Sequence, residues 1–215
     1  VTHYRWMKWC INTIKNHQPD TIVIVGNSVG GSIPEVLFQT TKVDIAIYGE
    51  AEITITKVLD AINYKKSYGE IIEPIVEIPH ANKGYPSTIK GEGIDGIIYR
   101  AKNGKIVNNG KRKAVKNIDD FPFPDWEDYV KAYPLRNDFF SLKEKIAIPI
   151  LATRGCPYSC FFYCTYPLQQ GRKVRARSIE NIIEEIKYWK KKLGTNKFVF
   201  RDPVFSINRK HTIAF

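Results

Sequence analysis

The sequence predicts an α/β protein built on parallel sheet, and three observations carry that reading. Residues 21–25 (TIVIV) form a continuous β-branched run, the pattern of a strand buried on both faces. A glycine-rich loop, helix signals and a second apolar run at 43–48 follow it. The same strand–loop–helix–strand order then recurs from residue 146 to residue 201. Strands that alternate with helices in this way build an open parallel sheet or a barrel. The 215 residues are 43% apolar and 26% charged, an ordinary globular composition that supports a sizeable core in one or two domains.

Residues 4–16 read as a helix, with Trp6, Met7, Trp9, Cys10 and Ile14 at about helical spacing, so Cys10 is expected on the buried side. Pro19 stops that helix. After the strand at 21–25, residues 26–32 (GNSVGGS) read as a loop. The spacing is neither GxGxxG nor a P-loop, so a tight structural turn and a ligand-facing turn both remain open. Pro34 and Glu35 open the next helix, where proline is tolerated and an acid suits the helix dipole. Gly49 and Glu50 then lead into a helix over 53–62.

The pattern weakens from 64 to 145. Alternation over 94–100, the dipeptide Asn103-Gly104 and the apolar residues beyond it signal a β-hairpin. Residues 119–126 (DDFPFPDW) read as an extended strap, and Tyr129, Tyr133, Phe139 and Phe140 as packing residues. The second organised region starts with a strand at 146–152. Ser178 is an N-cap, and Ile179, Ile182, Ile183, Ile186 and Trp189 line one helix face, with Glu184, Glu185, Lys190 and Lys191 opposite. Gly194 ends that helix, residues 197–201 form a strand, and a further helix begins near Asn208.

The net charge of +11, from 33 basic and 22 acidic residues spread along the chain, is compatible with an anionic partner or with solubility alone. No stretch reaches the roughly 20 apolar residues of a membrane span, and the first residues are not a signal peptide. The chain lacks an initiator methionine and stops inside what reads as a new helix, so a fragment of a longer protein is expected. Three of the four cysteines, Cys156, Cys160 and Cys164, fall at the end of a strand, which suits a reduced cytoplasm and not a secreted disulfide framework. A disulfide leaves one thiol over. Structural zinc lacks a fourth ligand nearby, since His211 lies beyond the next strand. An unmetallated trio is odd in so short a loop. An iron–sulfur cluster with three thiolate ligands and one open iron fits the count.

RGCPYSC followed by an aromatic residue and a third cysteine resembles the cluster loop of radical S-adenosylmethionine (SAM) enzymes. That resemblance implies that Cys156, Cys160 and Cys164 hold a [4Fe-4S] cluster, that S-adenosylmethionine chelates the open iron, and that Tyr163 lies near its adenine. Reduction then cleaves the cofactor to a 5′-deoxyadenosyl radical. The spacing here is CxxxCxxxC, one residue longer than the family's CxxxCxΦC. Under the same resemblance Arg175, Arg177 and Asp202 reach S-adenosylmethionine. Their plainer readings are a solvated basic turn and a loop cap. Residues 19–62 are similar to the second half of the cobalamin-binding domain that precedes many radical SAM cores. This implies that Gly26, Ser28, Gly49 and Glu50 line the cobalamin. The family's upstream DxHxxG and SxL signatures are not in this sequence, and Asn27 and Ala51 depart from its pattern.

The resulting expectation is an α/β chain. A partial Rossmann-like cobalamin-binding domain (1–66) leads through a β-rich connecting region (67–145) to the opening of a partial (β/α) radical SAM barrel (146–215). The expected activity is reductive cleavage of S-adenosylmethionine in methyl transfer or carbon-skeleton modification. A small-molecule substrate and a reductant such as flavodoxin or ferredoxin are implied, with no membrane. The alternatives are a metal-stabilised basic module that binds RNA or another anion and an RNA-modifying methylthiotransferase of the same superfamily.

Overall fold

The computed structural model describes residues 2–68, 93–101, 104–132, 141–142, 145–160 and 164–215. They form two units, Val1–Ala114 with Phe162–Gln170, and Val115–Phe161 with Gly171–Phe215.

In the first unit the sheet order is β1 (Ile24–Val25), β2 (Ile45–Ile47), β3 (Ile97–Arg100) and β4 (Ile106–Asn108). β1 and β2 pair in parallel, and the hairpin β3–β4 adds antiparallel to β2. Helix α1 (Thr2–His17) precedes the sheet, α2 (Asn27–Ser32) and α3 (Pro34–Thr40) connect β1 to β2, and α4 (Glu52–Tyr68) follows β2. The strand period of two explains why both faces of β2 are buried. Ile45 and Ile47 pack with Val58 and Ala61 of α4, while Ala46 turns to Ile11 of α1 and Leu37 and Phe38 of α3. Asp44 fixes the start of the parallel pair, since its carboxylate accepts the Val23 N–H at 2.7 Å and pairs with Lys15 at 2.7 Å.

Three expectations need correction here. Cys10 is exposed, as are Trp6 (66%) and Trp9 (60%), because α1 presses only the narrow stripe of Tyr4, Met7 and Ile11 onto the core. The strand expected over 21–25 with both faces buried is two residues long and half-buried, because β1 is the edge of the four-stranded sheet. The glycine-rich loop over 26–32 is helical from Asn27. Asn27 takes a left-handed φ of 63°, and its Oδ1 accepts the Ser28 N–H at 2.7 Å, which starts the turn. The hairpin lies where alternation placed it; Asn103 itself is outside the described residues, and Gly104 has φ 81°.

The second unit begins with a 3₁₀ turn at Ile118–Asp120, the extended strap and α5 (Glu127–Ala132). The short antiparallel pair β5 (Ser141–Leu142) and β6 (Lys145–Ile146) precedes β7 (Ile148–Ile150) and β8 (Thr153–Arg154). The chain gives α6 (Tyr166–Gln170) to the first unit, then resumes with β9 (Arg175–Ala176), α7 (Ile179–Leu193), β10 (Phe198–Phe200) and α8 (Arg209–Ala214). β7 and β10 pair in parallel across α7, which makes a βαβ unit, while β8 and β9 pair antiparallel. Ile148, Ile150 and Ala152 pack on Ile182 and Trp189 of α7. Ser178 caps α7 by accepting the Asn181 N–H, and Gly194 ends it at φ 66°. Of the expected packing residues, Tyr129 is exposed, although its ring meets Trp126 edge-on at 6.0 Å; Tyr133, Phe139 and Phe140 lie outside the described residues.

Glu185 corrects the reading of α7. Expected on the polar face, it is 1% exposed, because it sits three residues from Ile182 and four from Trp189 on the buried stripe. Arg177 meets it there in a charge-assisted hydrogen bond. Burial pushes the Glu185 carboxyl above its ordinary range, and Arg177 opposes that push. Removing one partner of a buried pair costs about 3–5 kcal/mol, whereas replacing both with apolar groups is often neutral. Glu185→Ala is therefore expected to lower stability by about 3 kcal/mol or more, and the double change Arg177→Met with Glu185→Leu to recover most of it, as read by denaturant titration.

Glu127 gives a pH signature. Its carboxylate meets Lys131 at 2.7 Å and Lys192 at 2.5 Å, and the hydrogen bonds from these two lysines hold it down to about 2. A depressed carboxyl contributes stability above its ordinary value of 4.5 and loses it as pH falls through the folded value. Glu127→Gln is expected to be less stable than the parent at neutral pH by a margin that closes between about pH 4.5 and 2, and that shrinks in high salt.

Candidate functional site

The residues expected to line a site in the first unit lie at the carboxyl ends of two parallel strands, where open α/β sheets hold their ligands. In the first unit β1 runs into Gly26, Asn27 and Ser28, and β2 runs into Tyr48, Gly49 and Glu50. These two ends are adjacent because β1 and β2 are paired, so Gly26, Ser28, Gly49 and Glu50 share one edge of the sheet. A side chain at Gly26 would meet nothing within 4 Å, so that position faces open space. Gly30 has the opposite reason for being glycine. A Cβ there would lie 2.8 Å from the Ile47 carbonyl oxygen and 3.1 Å from that of Val25, so its absence lets α2 rest on the strand backbones.

Glu50 is buried at 9% exposure. Lys111, from the segment after β4, approaches Gly49 and donates from Nζ to the Leu168 carbonyl of α6 at 2.6 Å. Burial lowers the Lys111 pKa, and the Glu50 charge resists that shift. α6 packs on α2 beside the same edge. Tyr48 donates its hydroxyl to Asn108 Oδ1 at 3.2 Å, and its pKa is raised by burial first. Sequence reading missed Lys111, which sits in a run of ordinary surface character (GKRK) with no spacing signal.

In the second unit, β8 leads directly into Gly155 and Cys156. Gly155 has φ 96°, and a Cβ on it would lie 2.3 Å from the Lys173 carbonyl oxygen. The loop thus crosses the β9 side so closely that only glycine fits. Cys156 is buried, and its N–H donates to the Gly171 carbonyl at 3.1 Å. Arg172 Nη1 donates to the Tyr158 carbonyl and to Ser159 Oγ, each at 3.2 Å, and so pins the loop between Cys156 and Cys160. Cys160 is exposed, and Cys164, which belongs to the first unit, is half-buried. Tyr163 lies outside the described residues. Among the described residues, no group of three or more His, Cys, Asp or Glu is arranged to hold a metal ion.

Asp202 leaves the end of β10 and caps the exit of β7. Its carboxylate accepts the Ala152 N–H at 3.1 Å, the Thr153 N–H, and the Thr153 hydroxyl at 2.6 Å. Arg177 is occupied by Glu185, by Asn181 Oδ1 at 2.7 Å and by the Leu151 carbonyl at 3.0 Å. Arg175 Nη1 donates to the Val115 carbonyl at 2.7 Å. All three residues therefore hold the strand ends and the strap that frame the cysteine loop. The basic turn is not simply solvated, since Arg177 is only 8% exposed.

The fold is a mixed α/β chain with a Rossmann-like parallel arrangement. No family model matches it. The chain is 26% identical over 200 residues to an uncharacterized methyltransferase of Pyrococcus horikoshii, covering 93% of this chain and 37% of that protein. Over 66 residues, 30% of this chain and 14% of the relative, it is 41% identical to bacteriochlorophyllide d C-12(1)-methyltransferase of Chlorobaculum tepidum. Among solved structures it resembles the cobalamin-dependent S-adenosylmethionine radical enzyme OxsB with aqua-cobalamin and S-adenosylmethionine bound, at TM-score 0.58 and 18% identity, covering 95% of this chain and 24% of that one. It also resembles the radical S-adenosylmethionine methyltransferase TsrM of Kitasatospora setae, with cobalamin and a [4Fe-4S] cluster bound, at TM-score 0.54 and 17% identity, covering 89% of this chain and 32% of that one. The chain thus spans about a third of the length of the P. horikoshii relative. Among the described residues, no helix is long and apolar enough to cross a membrane.

Two glycines separate a built loop from a permissive one. Gly155→Ala meets backbone and a positive φ together, while Gly171→Ala has positive φ but nothing within 4 Å. The first is expected to cost several-fold more stability than the second, which should lose only about 1 kcal/mol, when both are compared by thermal or denaturant unfolding.

Proposed function

We propose that this chain is part of a cobalamin-dependent radical SAM methyltransferase. The observation that carries the reading is the cysteine loop: three thiols follow β8, the short strand after β7 of a parallel βαβ unit, in a chain similar over 93% of its length to a methyltransferase. The donor chemistry suits the group, since three soft thiolates without a fourth protein ligand match a cluster with one open iron. Cys156, Cys160 and Cys164 would hold it, and Tyr163 is the residue assigned to the adenine of S-adenosylmethionine. When bound, the reduced cluster supplies the electron that cleaves S-adenosylmethionine. Gly155 and Arg172 shape the loop that presents the thiols. Asp202, Arg175 and Arg177 act on it as positioning residues, because their polar atoms hold the strand exits.

In the first unit, Gly26, Ser28, Gly49 and Glu50 line the edge of a bound cobalamin. Gly26 leaves room there, and Glu50 with Lys111 supplies a partly buried charge pair beside Gly49. Methyl transfer to a small molecule, with electrons from a flavodoxin or ferredoxin, is the activity this assigns to the whole protein. The presence of methyltransferases among its relatives supports methyl transfer over carbon-skeleton modification.

Anaerobic reconstitution with iron and sulfide tests the reading without turnover. The protein is expected to turn brown and retain about four iron atoms per chain. Cys156→Ala, Cys160→Ala and Cys164→Ala should each lose that iron, while the exposed Cys10→Ser should keep it. Deleting Phe161 restores the shorter cysteine spacing and is expected to raise iron retention. A colourless protein with stoichiometric zinc, or iron uptake indifferent to Cys156, would overturn the assignment.

A further inference from the structure

Helix α6 is five residues long and begins two residues after Cys164. None of its residues is buried, and Tyr166 and Leu168 are exposed. A helix this short does not persist in water by itself, because nucleation costs more than one turn of hydrogen bonds returns. With no apolar face to bury, α6 takes its place from contacts with its neighbours. Leu168 and Gln169 donate their N–H groups to the Thr165 carbonyl at 3.0 and 3.1 Å, and Gln169 Nε2 donates to Thr165 Oγ1 at 3.0 Å. Thr165, the residue after Cys164, is thus tied to the body of α6. Where α6 sits decides where the Cys164 backbone sits.

Lys111 reaches α6 from the segment after β4. Its Nζ donates to the Leu168 carbonyl at 2.6 Å, one of the terminal carbonyls that a helix leaves without an internal partner. The side chain arrives by crossing Gly49 at the end of β2. A Cβ on Gly49 would lie 3.2 Å from Lys111 Cε and 3.7 Å from both Lys111 Cγ and the Gln169 carbonyl oxygen. The lysine stem therefore runs between the end of β2 and α6, over a position that has no side chain of its own. Lys111, Gly49, Cys164 and α6 all belong to the first unit.

We infer that Lys111 is a positioning residue for Cys164: its ammonium group seats α6 beside the end of β2, and that seat presents the third thiol. The purpose of the seat rests on the cluster reading, in which Cys164 is one of three ligands. The seat itself is a property of the metal-free chain, so it is tested there and stands or falls apart from the methyltransferase reading.

The test is alkylation of the reduced, metal-free chain with iodoacetamide, followed thiol by thiol by mass spectrometry. Lys111→Gln is expected to speed labelling of the half-buried Cys164 by about fivefold, the effect of losing one ordinary hydrogen bond, while the buried Cys156 keeps the parent rate. Lys111→Arg keeps a cationic donor and should return Cys164 close to the parent rate. Lys113→Gln, an equal loss of charge at an exposed neighbour, should change nothing. An unchanged Cys164 rate in Lys111→Gln, no recovery in Lys111→Arg, a matching rise in Lys113→Gln, or a rise at Cys156 as large as at Cys164 would each overturn the proposal. Hydrogen exchange over residues 164–171 of the unaltered chain needs no variant. A seated α6 is expected to exchange at least about tenfold more slowly than the free peptide, and equal rates would reject the seat. Iron retention reports separately on the cluster: iron lost with the Cys164 response intact supports the seat and removes only its purpose.

Discussion

Arg177 and Glu185 form the contact on which the second unit depends. One guanidinium touches α7 at Asn181 and Glu185, the end of β7 at the Leu151 carbonyl and the strap at the Phe123 ring. His211 of α8 adds a fourth element, since its Nε2–H donates to the Arg177 carbonyl at 2.8 Å. Two charges taken out of water demand full satisfaction, and a planar five-donor group is suited to supply it in several directions at once. The elements around the cysteine loop are therefore fixed by polar geometry as well as by the apolar packing of Ile148, Ile150, Ile182 and Trp189.

The same logic continues toward the thiols. Asp202 ties the end of β10 to the backbone where β7 finishes, and Asp119 accepts the Ser178 N–H at 3.1 Å just before α7. Gly155 then lets the chain pass within contact of the Lys173 carbonyl, and Arg172 braces the turn from the other side. The polar residues near this loop that a motif reader would assign to a cofactor are engaged with backbone. They fix the backbone on either side of Cys156 instead. In the first unit the division of labour differs: Gly30 is spent on packing α2, while Gly26 faces open space at the strand ends.

Much of the architecture was legible because it follows local rules. β-branched runs, Pro34 at a helix start, Ser178 and Gly194 at helix ends, and the turn before β4 each act within a few residues, so their signals survive in the sequence. The misreadings have two causes. For Cys10 and Trp6, periodicity shows that faces exist without showing how wide a stripe the partner covers. Its charge suggested the polar face for Glu185 although its spacing from Ile182 and Trp189 puts it on the buried stripe, and Arg177, just after β9, makes that burial tolerable.

By itself, the sequence determined the α/β class and the main alternation of strands and helices around β2, α4, β7, α7 and β10, because residue type and spacing set these directly. The tertiary structure alone decided that the hairpin joins the first sheet, that Lys111 reaches Leu168 beside Glu50, and that Arg177 is spent on Glu185. Lys111 and Leu168 are 57 positions apart, and the other two pairings likewise rest on contacts between separate elements. Such pairings depend on how the strands align and on which polar groups are buried together, and no local periodicity encodes either.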